Sequence, residues 1–168
     1  MLLKDYFPNL HKKYHELIFK GIAFNSKEVK EGYIFFAFKG NNTDGNFFIK
    51  DAIKNGSKII ITDKLKKDGW KNNILYLNDN NPRNLLAKFS SKIFNKKPNN
   101  LIGVTGTNGK SSIANFYFQI LTLNGIKAAS IGTLGVKGLN IKKNFSKTAF
   151  DTIQLNKILV KLKEKKIE

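Results

Sequence analysis

The sequence predicts an α/β fold. A small α/β domain over residues 1–97 is followed, over residues 98–168, by the opening of a parallel-sheet domain of the phosphate-loop type. Three observations point there. Apolar runs rich in β-branched and aromatic residues alternate with helical patterns through the first half. The polar string Asn95-Lys96-Lys97-Pro98-Asn99-Asn100 interrupts that alternation as a linker does. Leu101 to Ser112 then joins an apolar run to a glycine-rich turn and a Lys-Ser pair that opens a helix.

Each element follows from its own residues. Tyr33 to Phe38 is apolar and aromatic, a strand. Phe48 to Asn55 reads as a short helix closed by Gly56, and Lys58 to Thr62 and Ile74 to Leu77 are further strands. Asn81-Pro82 supplies an N-cap and a first-turn proline for a helix that turns Leu85, Leu86, Phe89 and Ile93 inward. Beyond the linker, Leu101, Ile102 and Val104 suit a central parallel strand. Ile113, Phe116, Tyr117, Ile120 and Leu121 recur at helical spacing, forming one face of an amphipathic helix. Gly125 stands where a left-handed C-terminal cap belongs. Lys127 to Ile131 is the next strand, ending at Gly132. A final helix from Thr152 to Lys165 carries Ile153, Leu155, Ile158, Leu159 and Leu162 as its apolar positions. A doubly wound domain needs several more strands to cover that helix, so the chain is expected to be cut within a domain.

The loop carries the clearest chemistry. Gly106 and Gly109 permit a tight turn that brings backbone N–H groups close to phosphate oxygens. Gly106, Thr107, Asn108, Gly109, Lys110, Ser111 and Ser112 therefore form a candidate triphosphate cradle. Lys110 can reach the β- and γ-phosphates, and the Ser111 hydroxyl is the candidate ligand for Mg²⁺. The strict pattern G-x-x-x-x-G-K-[ST] is not met, because Val104 holds its first position and the neighbouring glycine is Gly103.

Composition excludes several classes. The formal charge is +18, yet Arg83 is the only arginine and the lysines run through every segment. Nucleic-acid readers cluster their basic residues and lean on arginine, so no nucleic-acid partner is expected. Abundant Lys, Asn and Ile are what an A+T-rich coding sequence favours, and the excess charge still attracts polyanionic nucleotides. The chain has no cysteine, which excludes disulfides and thiolate metal sites. No apolar run approaches the roughly 20 residues that span a bilayer. The N-terminal MLLKDYFPNL lacks the apolar stretch of a secretory signal. A cytoplasmic monomer without a membrane partner is expected.

Weaker signals have ordinary explanations. His11 and His15 stand four apart without an accompanying carboxylate, which favours surface histidines over a metal pair. Asp79-Asn80-Asn81-Pro82-Arg83 is explained as a helix-start turn. Phe35 and Phe36 read as core rather than as a base-stacking platform. Asp5, Glu16 and Glu28 show no paired spacing that suggests acid–base work.

GVTGTNGKSS, followed by SIGTLG at Ser130 to Gly135, resembles the Mur ligases, and within them the MurE type. The first half is similar independently. Phe24-Asn25-Ser26-Lys27, Gly32, Phe35-Phe36-Ala37-Phe38-Lys39-Gly40, Asp44-Gly45 and Phe48-Ile49 resemble the family's D-S-R, P-G-x-L-F-x-A-x-x-G and D-G-x-x-F-I blocks. The resemblance covers essentially the whole chain but about the first third of a complete ligase. It implies an ATP-dependent ligase of peptidoglycan precursor synthesis that joins a diamino acid, diaminopimelate or lysine, to UDP-N-acetylmuramoyl-L-alanyl-D-glutamate. It also implies uridine-nucleotide contacts at Phe24, Ser26, Asn41, Asn42 and Thr43, a muramoyl-peptide contact at Thr148, and a catalytic role for Lys110. Asn25 and Lys27 depart from the family's Asp and Arg, and Thr148-Ala149-Phe150-Asp151 departs from its T-T-P-[DE]. The resemblance further implies that this stretch on its own does not ligate. Four other readings stay open: a stand-alone nucleotide-binding or regulatory module, a MurF-type fragment, a folylpolyglutamate synthase, which shares the loop chemistry, and a phosphate-loop NTPase of another kind.

Overall fold

The computed structural model describes residues 1–7, 10–40, 43–133, 135–138 and 150–167. The chain divides into two compact units, Met1–Lys92 and Ile93–Glu168.

The first unit is built on a five-stranded sheet. Its strands are β1 (Gly21–Ala23), β2 (Tyr33–Ala37), β3 (Ile59–Thr62), β4 (Gly69–Lys71) and β5 (Ile74–Asn78), in the order β1-β2-β3-β5-β4. β1, β2, β3 and β5 run parallel, and β4 returns antiparallel on the edge beside β5. Two helices complete the unit, α1 (Ile49–Lys54) and α2 (Pro82–Ile93). The register sets Phe35 beside Ile60 and Phe36 beside Ile61. Successive strand residues face opposite sides, so both faces of this apolar sheet must be covered.

Each face has its own lid. Phe35 and Ile60 join Ala23, Val29, Ala37 and Ile74 in a cluster with Ala52 of α1, against which Ile49 and Ile53 also pack. On the other face Phe36 meets Phe89 of α2, with ring centroids 5.3 Å apart and the rings nearly perpendicular. Phe89 also touches Tyr6 and Phe19, which draws the N-terminal segment onto the same side. After α1 the chain turns at Gly56 with φ of +104°, where a Cβ would lie 2.7 Å from the Glu31 Cα. Only glycine fits there. Ser57, buried beside that turn, places its hydroxyl 3.0 Å from both the Tyr33 and Ile59 carbonyls, its one proton shared between them, and so ties β2 to the start of β3.

Most of this agrees with the sequence reading. The α1 helix starts one residue later than expected, because Gly45–Phe48 form a 3₁₀ turn ahead of it. β1 and β4 were not legible: each has three residues, and β4 is an edge strand with an exposed Trp70.

The second unit contains α3 (Lys110–Leu123), a hairpin of β6 (Ser130–Gly132) and β7 (Gly135–Lys137), and α4 (Thr152–Glu164). Ile158, Leu159 and Leu162 of α4 pack with Val136 of β7 and Ile167, flanked by Ala129, Ile131 and Phe150. Asp151 caps α4, its carboxylate accepting from the Gln154 amide at 2.8 Å. Helix α3 ends as its sequence predicts. Gly125 has φ of +75°, its N–H donates to the Thr122 carbonyl, and the Ile126 N–H donates to Leu121.

Three expectations are corrected here. Leu101 to Val104 form no strand, and Leu101 and Ile102 are exposed. The expected strand from Lys127 shortens to Ser130–Gly132 and pairs antiparallel with β7 rather than in a parallel sheet. Leu155 lies on the open side of α4 while Asn156 is buried. The first two share a cause. An apolar run becomes a parallel strand only where neighbours accept its hydrogen bonds, and no strand among the described residues pairs with 101–105. The apolar stripe of α3 is accordingly exposed, Phe116 by 61% and Ile113 by 57%.

Phe89 tests this architecture. Phe89→Ala leaves a void against Phe19 and Phe36 and is expected to lower the unfolding free energy by about 3–5 kcal/mol, read by urea denaturation. A loss below about 1 kcal/mol would show that α2 does not seal the sheet as described.

Candidate functional site

The glycine-rich loop prepares the first turn of α3 as an anion seat. Gly106 and Gly109 both take positive φ, +140° and +76°. Gly109 occupies the N-cap position and offers no capping side chain. The first intrahelical bond runs from the Ile113 N–H to the Gly109 carbonyl at 2.9 Å. The amides of Lys110, Ser111 and Ser112 precede it, so they carry the donors and partial positive charge of a helix start.

Lys110 arches back over its own loop. Its ammonium donates to the Thr107 carbonyl at 2.9 Å and to the Gly106 carbonyl. An arriving phosphate would exchange those carbonyls for stronger, charge-assisted partners. The Ser111 and Thr133 hydroxyls lie 3.2 Å apart, joining the helix start to the end of β6. Lys137 of β7 donates to the Asn115 side chain at 2.6 Å, a second tie between hairpin and α3. The sequence reading missed Thr133, although it stands inside the SIGTLG segment already singled out.

These donors suit magnesium. Among the described residues no group of three or more His, Cys, Asp or Glu could hold a metal ion. The Ser111 and Thr133 hydroxyls are hard oxygen donors, the type Mg²⁺ uses while drawing its remaining ligands from water and phosphate. His11 and His15 are engaged elsewhere: His11 Nδ1 accepts from the Lys13 amide, and His15 Nε2 contacts the Leu10 carbonyl.

In the first unit the remaining candidates gather around the C-terminal ends of the parallel strands. Ser26 is buried at the head of a 3₁₀ turn after β1, capped by Asn25, and its carbonyl accepts from the Asn55 side chain at 2.9 Å. Phe24, two positions earlier, lies nearly parallel to Phe38 beyond β2, with centroids 6.1 Å apart and planes at 18°. The Thr43 carbonyl accepts from the Gly40 N–H at 2.8 Å, beyond the end of β2. Asn41, Asn42 and Thr148 lie outside the described residues, as does Leu134 within SIGTLG.

Two further groups at this edge went unread in the sequence. Asn46 donates to Asp44 through its backbone N–H at 2.9 Å and its side-chain amide at 2.8 Å, and accepts from the Thr62 hydroxyl at 2.6 Å. Those bonds link the turn after β2 to the end of β3. Arg83 was read only as part of a helix start. Asn81 does cap α2, accepting from the Asn84 amide at 3.0 Å. Arg83 itself reaches across the sheet edge to the Phe38 ring and the Lys39 carbonyl.

A parallel α/β unit is thus followed along the chain by a glycine-rich loop that opens a helix. The chain belongs to the Mur ligase family: residues 18–93 match the family described as "Mur ligase family, catalytic domain" and residues 104–168 match "Mur ligase middle domain". It is 42% identical over 164 residues to the UDP-N-acetylmuramoyl-L-alanyl-D-glutamate--2,6-diaminopimelate ligase of Rickettsia montanensis, covering 95% of this chain and 34% of that protein. A second ligase of that name, from Clostridium acetobutylicum, is 37% identical over 83% of this chain and 30% of its own length. A solved structure of a UDP-N-acetylmuramoyl-L-alanyl-D-glutamate--2,6-diaminopimelate ligase superposes over 99% of this chain and 34% of its own with a TM-score of 0.76. At 22% identity that likeness shows the fold. The chain spans about a third of the length of these relatives.

The Asp44 turn yields a pH prediction. The Asn46 backbone N–H, then its side-chain amide, hold the Asp44 carboxyl below its ordinary range. Its folded pKa lies under the unfolded one, so its stabilising contribution is complete above about pH 3.9 and is lost as pH falls through the folded value. Urea midpoints across acid pH should show that loss, and Asp44→Asn should flatten it. An unchanged acid limb in the variant would contradict the assignment.

Proposed function

We propose that this chain provides the UDP-substrate-binding part and the start of the ATP-binding part of an ATP-dependent amide ligase in peptidoglycan precursor synthesis. The boundary between those parts falls at residues 97–98. The ligase would join 2,6-diaminopimelate, the amino acid in its relatives' names, to UDP-N-acetylmuramoyl-L-alanyl-D-glutamate. The observation that supports it best is the loop Gly106–Ser112, with two positive-φ glycines and a helix whose first amides lie free of intrahelical acceptors, in a chain 95% covered by such a relative.

In this reading the backbone of Gly106, Thr107, Asn108 and Gly109 and the first-turn amides of Lys110, Ser111 and Ser112 bind the ATP phosphates. Lys110 leaves its loop carbonyls and stabilises charge on the transferring γ-phosphoryl group. Ser111 would hold Mg²⁺, which when bound would supply charge neutralisation for the phosphates. The substrate carboxylate attacks the γ-phosphorus and ADP leaves. The diamino acid's amine then attacks the acyl carbon, loses its proton and expels phosphate. In the first unit Phe24, Ser26 and Thr43, with Asn41 and Asn42, contact the uridine nucleotide, and Thr148 serves the muramoyl-peptide side. The protein acts in the cytoplasm as a monomer, with no nucleic-acid or membrane partner. Among the described residues no helix is long and apolar enough to cross a membrane.

Calorimetry with UDP-N-acetylmuramoyl-L-alanyl-D-glutamate tests the first-unit site. The chain is expected to bind it, and Ser26→Ala to weaken binding about tenfold by removing one hydroxyl partner. No heat at roughly millimolar ligand, the weak end of specific affinity, would refute the reading.

A further inference from the structure

The edge of the first sheet holds an arrangement that the residues named so far leave unexplained. The Arg83 guanidinium lies 5.2 Å from the centroid of the Phe38 ring, and its Nη2 donates to the Lys39 carbonyl at 3.2 Å across 44 positions of sequence. The same Phe38 ring lies against Phe24. Three segments thus converge on one phenyl ring: the end of β1, the end of β2 and the first turn of α2. Phe38 is half-buried and Arg83 is exposed, so the contact is no part of the packed core.

We propose that Arg83 is a positioning residue of the nucleotide site, fixing Phe38 and through it Phe24 for a nucleoside diphosphate. The inference rests on the uridine-nucleotide reading of the first unit. Ligands of open parallel sheets bind beyond the carboxyl ends of the strands, where this ring pair stands. A flat aromatic surface beside an exposed cation is the chemistry that receives a base with an attached diphosphate. The choice of arginine has a geometric reason. A planar guanidinium lies over a ring while an edge N–H reaches a carbonyl, whereas an ammonium is a compact point charge with no flat face. In a chain with 30 basic residues this is the single arginine.

UDP is the probe, titrated into the whole chain and its variants by calorimetry, with Phe24 ring signals followed by NMR. Arg83→Ala and Arg83→Lys are both expected to weaken UDP binding about tenfold, to shift the Phe24 ring signals and to leave the melting temperature near that of the unaltered chain. Retention of full affinity by Arg83→Lys would show that charge alone matters and overturn the proposal. A loss of affinity that tracks a fall in melting temperature in both variants would assign Arg83 to the scaffold, with the same result. Equal UDP binding by the unaltered chain and Arg83→Ala would sink this inference alone. Absence of UDP binding to the unaltered chain would sink the nucleotide reading with it.

Discussion

The two-sided burial of β2, β3 and β5 is the constraint on which the rest of the first unit depends. A parallel sheet whose strands are apolar throughout cannot leave a face to water. Phe35 and Ile60 therefore require α1, and Phe36 requires Phe89 of α2. Those demands fix the crossovers, and the crossovers fix what stands at the strand ends. Gly56 and Ser57 are tailored to the same demand, one by lacking a Cβ and the other by sharing its hydroxyl proton between two strand carbonyls. Ser26, Phe24, Phe38, Asp44 and Arg83 are then set at or beside the carboxyl edge as a consequence of the scaffold.

The phosphate loop is organised by a more local logic. Positive φ at Gly106 and Gly109 turns the chain into α3, and the Lys110 ammonium bridges loop carbonyls until a better partner arrives. None of this draws on a large core. The cluster of Val136, Ile158, Leu159 and Leu162 holds the β6–β7 hairpin to α4, while the stripe Ile113, Phe116, Tyr117 and Ile120 stays exposed. Loop geometry of this kind is specified by a few residues, which is why it persists where packing is thin.

That contrast explains what could be read from the sequence. The strands at Tyr33 and Lys58 and the helix at Pro82 were legible because their patterns are satisfied within the first unit. The Gly125 cap was legible because its signal is a single residue with a single conformational reason. Leu101–Val104 misled because apolar character encodes burial without naming the partner that provides it. The loop motif was readable from spacing, and Ser26 only through family resemblance. Arg83, Asn46 and Thr133 were not readable, since each acts on a residue brought near by the fold: Lys39 and Phe38, Thr62, and Ser111.

The central claim is that the first unit carries its own buried sheet while α3 is held by its loop, its C-terminal cap and polar ties to the hairpin segment. Amide hydrogen exchange on the whole chain measures this directly, because protection follows the free energy of local opening. The amides of β2, β3 and β5 should exchange slowest, opening only with global unfolding, while those of α3 exchange substantially faster. Equal protection of α3 and the sheet, or early exchange of β2 and β3, would contradict the account.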